Sequence, residues 1–296
     1  MNEQSAPHPH LNVGGRVLAA IDASSYTESV SNWAAWAASR LDAPLEYLHV
    51  LNRHPEAAAI ADFSGNLEAD SREKLLQDLV AVDESRSKLG QERGRLLLQQ
   101  AKAIAGGHGV AAETRMRHGS LVDTLTELET NVRLLVLGKR GANADFAKGH
   151  LGGHLERVVR AVHRPLLVAS RQFTEVRRLL IAFDGSATTR KGVEIVAASP
   201  LFAGLEVRLV TVGAENDASS KQMKWALEML SAAALQAHGE FLAGDPENVI
   251  ADYVRDAHID LLVMGAYGHS RIRQLIVGST TTTMLRRCQV PVLLLR

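Results

Sequence analysis

Short apolar runs that end in turn residues recur along the chain in the same order in both halves. Residues 16–21 lead to Asp22, and residues 178–183 lead to Asp184, so each run predicts a buried strand followed by a turn. Three further pairs of runs occupy corresponding places, at 45–50 and 207–212, 134–138 and 261–265, and 164–168 and 290–294. The matched order indicates an internal repeat.

Apolar residues at helical spacing separate the predicted strands. One helical face consists of Val30, Trp33, Ala34, Ala37 and Leu41 in the first half, and of Met223, Ala226, Leu227, Leu230 and Ala234 in the second. Strands that alternate with helices imply right-handed crossovers and a parallel, doubly wound sheet. Any ligand is then expected beyond the carboxyl ends of the strands.

The repeat and the length of 296 residues predict two domains. We place them at 15–172 and 173–296, after a flexible tail over 1–14. The first half is longer because of an insertion at about 52–91, whose periodic leucines predict an extended helix before a shared helix at 95–105. The insertion contains no cluster of reactive side chains, which favours a packing or interface role over chemistry.

The composition is that of a soluble globular protein, with 46% hydrophobic and 22% charged residues. Basic and acidic residues number 33 each, so no net field draws the chain to nucleic acid or to an anionic membrane. No signal peptide, anchor or spanning segment is recognisable. The lone Cys288 cannot form an internal disulfide, which fits a cytoplasmic location and a buried structural role. We therefore expect no membrane and no nucleic-acid partner.

The second half carries a glycine motif. Gly265 and Gly268 follow a predicted strand, nine residues come next, and Gly278 and Ser279 open a predicted helix. Glycines let the backbone approach a ligand closely, and a helix N-terminus offers unpaired N–H groups and a partial positive charge to an anion. His269 adds a side chain that can carry positive charge. The motif predicts a phosphate-binding loop.

Together with Asp184, this spacing resembles the signature of the universal stress protein family: glycine, two residues, glycine, nine residues, glycine, then serine or threonine. The resemblance extends from about residue 15 to residue 296, as a tandem pair. It implies an α/β fold class of two tandem doubly wound parallel five-stranded sheets flanked by helices, in an adenine nucleotide alpha-hydrolase-like architecture. It also implies ATP, with or without Mg²⁺, as the bound cofactor.

The same resemblance assigns roles in binding. The predicted nucleotide-binding residues are Asp184, Val212, Gly265, Gly268, His269, Gly278, Ser279 and Thr280. Asp184 would accept hydrogen bonds from the adenosine portion, the backbone of Val212 would face adenine, and residues 278–280 would hold the phosphate tail. The glycines after the strand would lie along the ribose and phosphates. Asp184 has an alternative role as the cap of the turn that follows it.

The first half departs from the signature. Gly138 and Gly141 are present, but ten residues precede Gly152, and Gly153 stands where serine or threonine belongs. One hydroxyl is missing as a result, and Asp145 brings a carboxylate that would oppose a phosphate. We predict a weak or empty site in the first half, with its glycines mostly serving turns.

Other chemistries have less support. The sequence contains neither a P-loop signature nor a nucleophile elbow, and its 12 histidines show no metal-ligand spacing with cysteine. The leading hypothesis is a stress-response regulatory protein that binds ATP mainly in the C-terminal domain and acts as a nucleotide-dependent switch of conformation or partner contacts. The alternatives are a scaffold of the same fold without nucleotide binding, and a slow ATPase.

Partners follow from the closing strands at 165–170 and 291–296. In the family's strand order these strands lie at a sheet edge, and exposed edges favour pairing. The resemblance therefore implies that they join the two domains of one chain about a pseudo-two-fold axis. A homodimer and an unidentified protein partner remain open.

Overall fold

The computed structural model describes residues 12–51, 69–141, 153–266 and 279–296. Its strands are β1 (Arg16–Ala20), β2 (Leu45–Leu51), β3 (Ala112–His118), β4 (Val132–Gly138), β5 (Leu166–Ala169), β6 (Arg178–Ala182), β7 (Glu206–Val212), β8 (Gln236–Leu242), β9 (Leu261–Gly265) and β10 (Val292–Leu295). Its α-helices are α1 (Thr27–Leu41), α2 (Ala69–Gly107), α3 (Leu121–Leu128), α4 (Gly153–Ala161), α5 (Ala187–Ala198), α6 (Asp217–Ala232), α7 (Pro246–Asp256) and α8 (Ser279–Arg287).

The strands form one sheet in the order β3-β2-β1-β4-β5-β10-β9-β6-β7-β8. Each half contributes five parallel strands, which confirms the predicted fold class. The halves join where β5 and β10 pair antiparallel, with Leu167 opposite Leu293. Because the strand order of one half mirrors that of the other, the closing strands cover each other's edges about a pseudo-two-fold axis.

The outermost strands, β3 and β8, were not located from the sequence pattern. Both are edge strands, and most of their side chains are exposed or half-buried. Arg115 and Arg117 lie on β3, and Glu240 lies on β8, so no apolar run marks these strands. Charged side chains on an edge oppose pairing with other chains.

Helices cover both faces of the sheet. On one face α1, α2, α5 and α6 pack over the core, and on the other α3, α4, α7 and α8 do so. The predicted apolar face of α1 is buried throughout. In α6 the prediction was wrong at its last position, because the helix ends at Ala232 and Ala234 is exposed in a left-handed turn with φ 57°.

The insertion contributes to α2, which is 39 residues long and continuous with the shared helix. Every described side chain from 77 to 89 is exposed, whereas Leu98 and Ala101 are buried. The N-terminal part of α2 therefore lies clear of the sheet. No helix in the described ranges is both long and apolar enough to span a membrane.

Candidate functional site

The carboxyl ends of β6, β7 and β9 form one edge of the sheet in the second half. Asp184 follows β6, Val212 ends β7 and Gly265 ends β9, and β6 lies between the other two strands. The N–H of Phe183 donates to the carbonyl of Val210 at 2.9 Å, so the hydrogen bonding between β6 and β7 continues one residue beyond the end of β6. Three of the predicted site residues thus share this edge.

Asp184 opens the turn that leads into α5. Its Oδ1 accepts hydrogen bonds from the N–H of Ser186 at 2.9 Å and from the hydroxyl of Thr189 at 2.7 Å. Gly185 has φ 71°, a left-handed conformation that favours glycine, and the side-chain amide of Gln222 packs where its Cβ would lie. The capping role left open for Asp184 is present, and these bonds occupy one carboxylate oxygen of an exposed side chain.

Gly265 contacts the first turn of α5. A Cβ at this position would lie 3.1 Å from Cγ2 of Thr188 and 4.0 Å from Cγ2 of Thr189. The end of β9 is therefore packed against the helix that the Asp184 turn begins. Neither threonine was identified from the sequence, since threonine is common at helix starts and carries no specific signal.

The N-terminus of α8 is fixed beside the end of β9. The hydroxyl of Thr281 lies 3.1 Å from the carbonyl oxygen of Ala266 and 3.4 Å from that of Gly265, and the residue is 2% exposed. The first N–H groups of a helix have no partner within it and carry a partial positive charge. Thr281 thus holds the N-terminus of α8, which includes Thr280, against the predicted edge.

The predicted helix start at Ser279 agrees with the structure. Gly268, His269 and Gly278 lie outside the described residues, so their roles stay predictions.

The corresponding edge of the first half contains a pocket of about 120 Å³ lined by residues that include Asp22, Tyr26, Gly138 and His154. Sites for small molecules are commonly about 300–1,000 Å³, so this pocket is small for a nucleotide. A Cβ on Gly138 would lie 2.8 Å from Cβ of Tyr26, which shows that the tyrosine packs directly over the glycine. In the repeat, Tyr26 corresponds to the smaller Thr188.

A second difference concerns the helix after each glycine motif. Leu155 of α4 stands where α8 has Thr281. Leucine has no hydroxyl, and Leu155 lines the pocket instead. Among the described residues, the hydrogen bond from this helix position to the end of the preceding strand therefore occurs only in the second half.

Lys139, inside the glycine motif of the first half, reaches the second half. Its ammonium donates to the carbonyl of Cys288 and, at 3.2 Å, to that of Val290, and the residue is 8% exposed. Burial lowers the pKa of Lys139 to about 8, with Cys288 acting in the opposite direction. Cys288 is buried, as expected. No sequence pattern predicts this contact, because Lys139 occupies a variable position of the motif.

Replacing Lys139 with methionine should alter how stability depends on pH. The unfolded side chain has a pKa near 10.5 and the folded one about 8. Folding therefore disfavours the charged form: the penalty is complete below pH 8 and disappears as the pH rises to 10.5. When the pH rises from about 7 to about 9.5, the free energy of unfolding of the wild-type protein should increase by about 2 kcal/mol more than that of the variant.

Urea denaturation at several pH values in a Cys288→Ala background measures this difference. That background is needed because burial raises the pKa of the Cys288 thiol, which acts in the opposite direction at high pH. Parallel curves of stability against pH for the proteins with and without Lys139→Met would contradict the buried contact.

The described edge of the second half offers a carboxylate, hydroxyls and backbone N–H groups. The hydroxyls and N–H groups suit an anionic group of a ligand, whereas the carboxylate suits its hydrogen-bond donors. No group of three or more His, Cys, Asp or Glu side chains placed to hold a metal ion occurs within the described ranges.

A model of the universal stress protein family matches residues 15–170 and 175–296. The chain is 36% identical over 284 residues to universal stress protein Slr1230 of Synechocystis, covering 95% of this chain and 99% of that protein. A crystal structure of a universal stress protein from Archaeoglobus fulgidus matches 96% of this chain and 98% of its own, with 20% identity and a TM-score of 0.68. That likeness shows the fold.

A universal stress protein family protein from Arabidopsis thaliana, solved with AMP bound, matches 40% of this chain and 90% of its own. It is 14% identical, and its TM-score is 0.32.

Proposed function

Because the chain belongs to the universal stress protein family, we propose that it is a stress-response regulatory protein that binds ATP mainly in its second half. The bound nucleotide would act as a switch of conformation or partner contacts. One observation carries the proposal: the hydroxyl of Thr281 fixes the first turn of α8 against the same strand edge that holds Asp184 and Gly265.

This arrangement suits both ends of a nucleotide. The helix N-terminus at Ser279 and Thr280 would receive the phosphates, whose negative charge the helix dipole favours. Asp184 follows β6, and Val212 ends the neighbouring β7, so the adenosine portion would bind between them. Gly265 would lie along the ribose at the end of β9, beside the first turn of α5.

The preference for the second half rests on two substitutions in the repeat. Tyr26 fills space over Gly138 where the second half has Thr188. Leu155 replaces the anchoring hydroxyl of Thr281. The first half thus has a bulkier side chain over its glycine and no fixed polar helix start among its described residues, in addition to its longer loop.

The proposed switch acts through α8. Its N-terminus would hold the phosphates, and its other end leads directly to Cys288, whose carbonyl accepts a hydrogen bond from Lys139. A shift of α8 when a nucleotide binds would therefore move a buried contact with the first half.

Calorimetric titration of the full chain with ATP and Mg²⁺ tests this function. We expect saturable heat with about one nucleotide per chain, and competition with AMP and cAMP would define which phosphates matter. Absence of binding heat up to millimolar ATP would reject the proposal and would favour a scaffold of the same fold without nucleotide binding. Phosphate release above a control without protein would instead indicate a slow ATPase.

A further inference from the structure

The exposed part of α2 carries an apolar stripe. Val82, Leu89 and Leu96 are spaced by seven residues and are 47%, 71% and 54% exposed. Seven residues make two helical turns, so the three side chains lie along one side of the helix. Single exposed aliphatic residues are ordinary, but these three recur about 10.5 Å apart on one side of a helix that stands clear of the sheet, with charged residues such as Arg86 and Arg93 between them, and form a row that a second helix can contact.

The stripe points away from the body of the protein. Gly94 packs against the sheet, since a Cβ there would lie 2.6 Å from the ring of His49, and Leu98 is 6% exposed. Leu96 is two positions from each, which is about 200° around the helix. The stripe therefore lies opposite the face that attaches α2 to the sheet, and a second helix can reach it.

Charge along this segment is segregated. Residues 77–85 contain three acidic and no basic side chains, and residues 86–95 contain four basic and one acidic side chain. Two parallel copies would place like charges together, whereas two antiparallel copies would place the acidic part of each against the basic part of the other. The charge pattern thus selects antiparallel self-association.

The same pairing aligns individual residues. Asp78 lies four residues before Val82, and Arg93 lies four residues after Leu89. Both charged residues therefore lie on the same side of the helix as the stripe. When Val82 of one copy lies opposite Leu89 of the other, Asp78 lies opposite Arg93. Neither charged residue has an ion-pair partner within the described parts of the chain.

We propose that residues 77–94 of α2 dock antiparallel onto the same segment of a second copy of this chain. The contact is about 26 Å long at about 1.5 Å per residue. It is isologous, so it closes at a dimer and does not propagate. It differs from the junction of β5 with β10, which lies within one chain, and it does not depend on nucleotide binding.

Sedimentation velocity of the full chain over a range of concentrations tests this contact. Wild type should dimerise reversibly, and Leu89→Glu should raise the dimer Kd more than about tenfold by placing a charge in the apolar seam. Val80→Glu is the matched control, because Val80 is 58% exposed but two residues from Val82 and hence on the other side of the helix. It should leave the Kd within about twofold.

A charge swap tests the direction of the pairing. Asp78→Arg and Arg93→Asp should each weaken the dimer, and the double variant should restore it, because the two opposed charges are exchanged together. A monomeric wild type at about 100 µM, equal losses in Val80→Glu and Leu89→Glu, or no rescue in the double variant would overturn the proposal.

Discussion

Replacing Gly268 with valine and Ser279 with alanine should weaken ATP binding by at least about 100-fold. A branched side chain at position 268 would block close approach of the backbone to the ribose and phosphates. Loss of the Ser279 hydroxyl would remove a hydrogen bond to a charged group, worth about 1.5–3 kcal/mol. The strand core and the Thr281 anchor are untouched, so the fold should persist.

The repeat provides a matched control in the first half. Gly141 and Gly153 occupy the positions of Gly268 and Ser279, and a Cβ on Gly141 would lie 3.0 Å from Oδ2 of Asp22. Gly141→Val with Gly153→Ala should therefore obstruct the first-half pocket, yet leave ATP affinity within about twofold. Calorimetry on both double variants makes the comparison. Equal losses in the two halves, or unchanged affinity in the second-half variant, would contradict a site that resides mainly there.

Trp33→Ala should destabilise the protein by about 3–5 kcal/mol, as expected for removing a large buried ring. Trp33 is fully buried, and its ring lies edge-on to Phe173, with centroids 4.7 Å apart. Phe173 belongs to the connection between β5 and β6, so the lost ring also loosens the segment that links the halves. Denaturant unfolding monitored by circular dichroism measures the change.

Trp33→Phe is the matched control for Trp33→Ala. The indole Nε1 of Trp33 is buried without a hydrogen-bond partner among the described residues. Phenylalanine keeps an aromatic ring and removes this unsatisfied N–H, whose burial is unfavourable. It should lose less than half as much stability as alanine. A Trp33→Ala protein within about 1 kcal/mol of wild type would show that the ring does not support the core.

The fold was largely predictable because its signals are local. Buried strands such as β1 and β6 are short apolar runs, and the repeat confirms each against its counterpart. The edge strands β3 and β8 were missed because side chains such as Arg115 and Glu240 interrupt the apolar pattern. The end of α6 was missed because the left-handed turn at Ala234 depends on the backbone and not on hydrophobicity.

The candidate site was predictable only in part. Asp184 follows β6, and Val212 and Gly265 end the strands on either side of it, in agreement with a site expected beyond the carboxyl ends of the strands. Thr281 contacts Ala266, which lies 15 residues earlier in the chain, and Thr189 contacts Asp184 across a turn. No sequence pattern marks either contact. Lys139 is a stronger example, because its partners lie in the other half of the chain.

A crystal structure of the full chain grown with ATP and Mg²⁺ would show where the nucleotide binds. We expect nucleotide density in the second half, with phosphates at the first turn of α8 and the adenosine portion near Asp184. We expect no nucleotide in the pocket lined by Asp22 and Tyr26. Density in that first-half pocket with none at Ser279 would rule out a site that resides mainly in the second half.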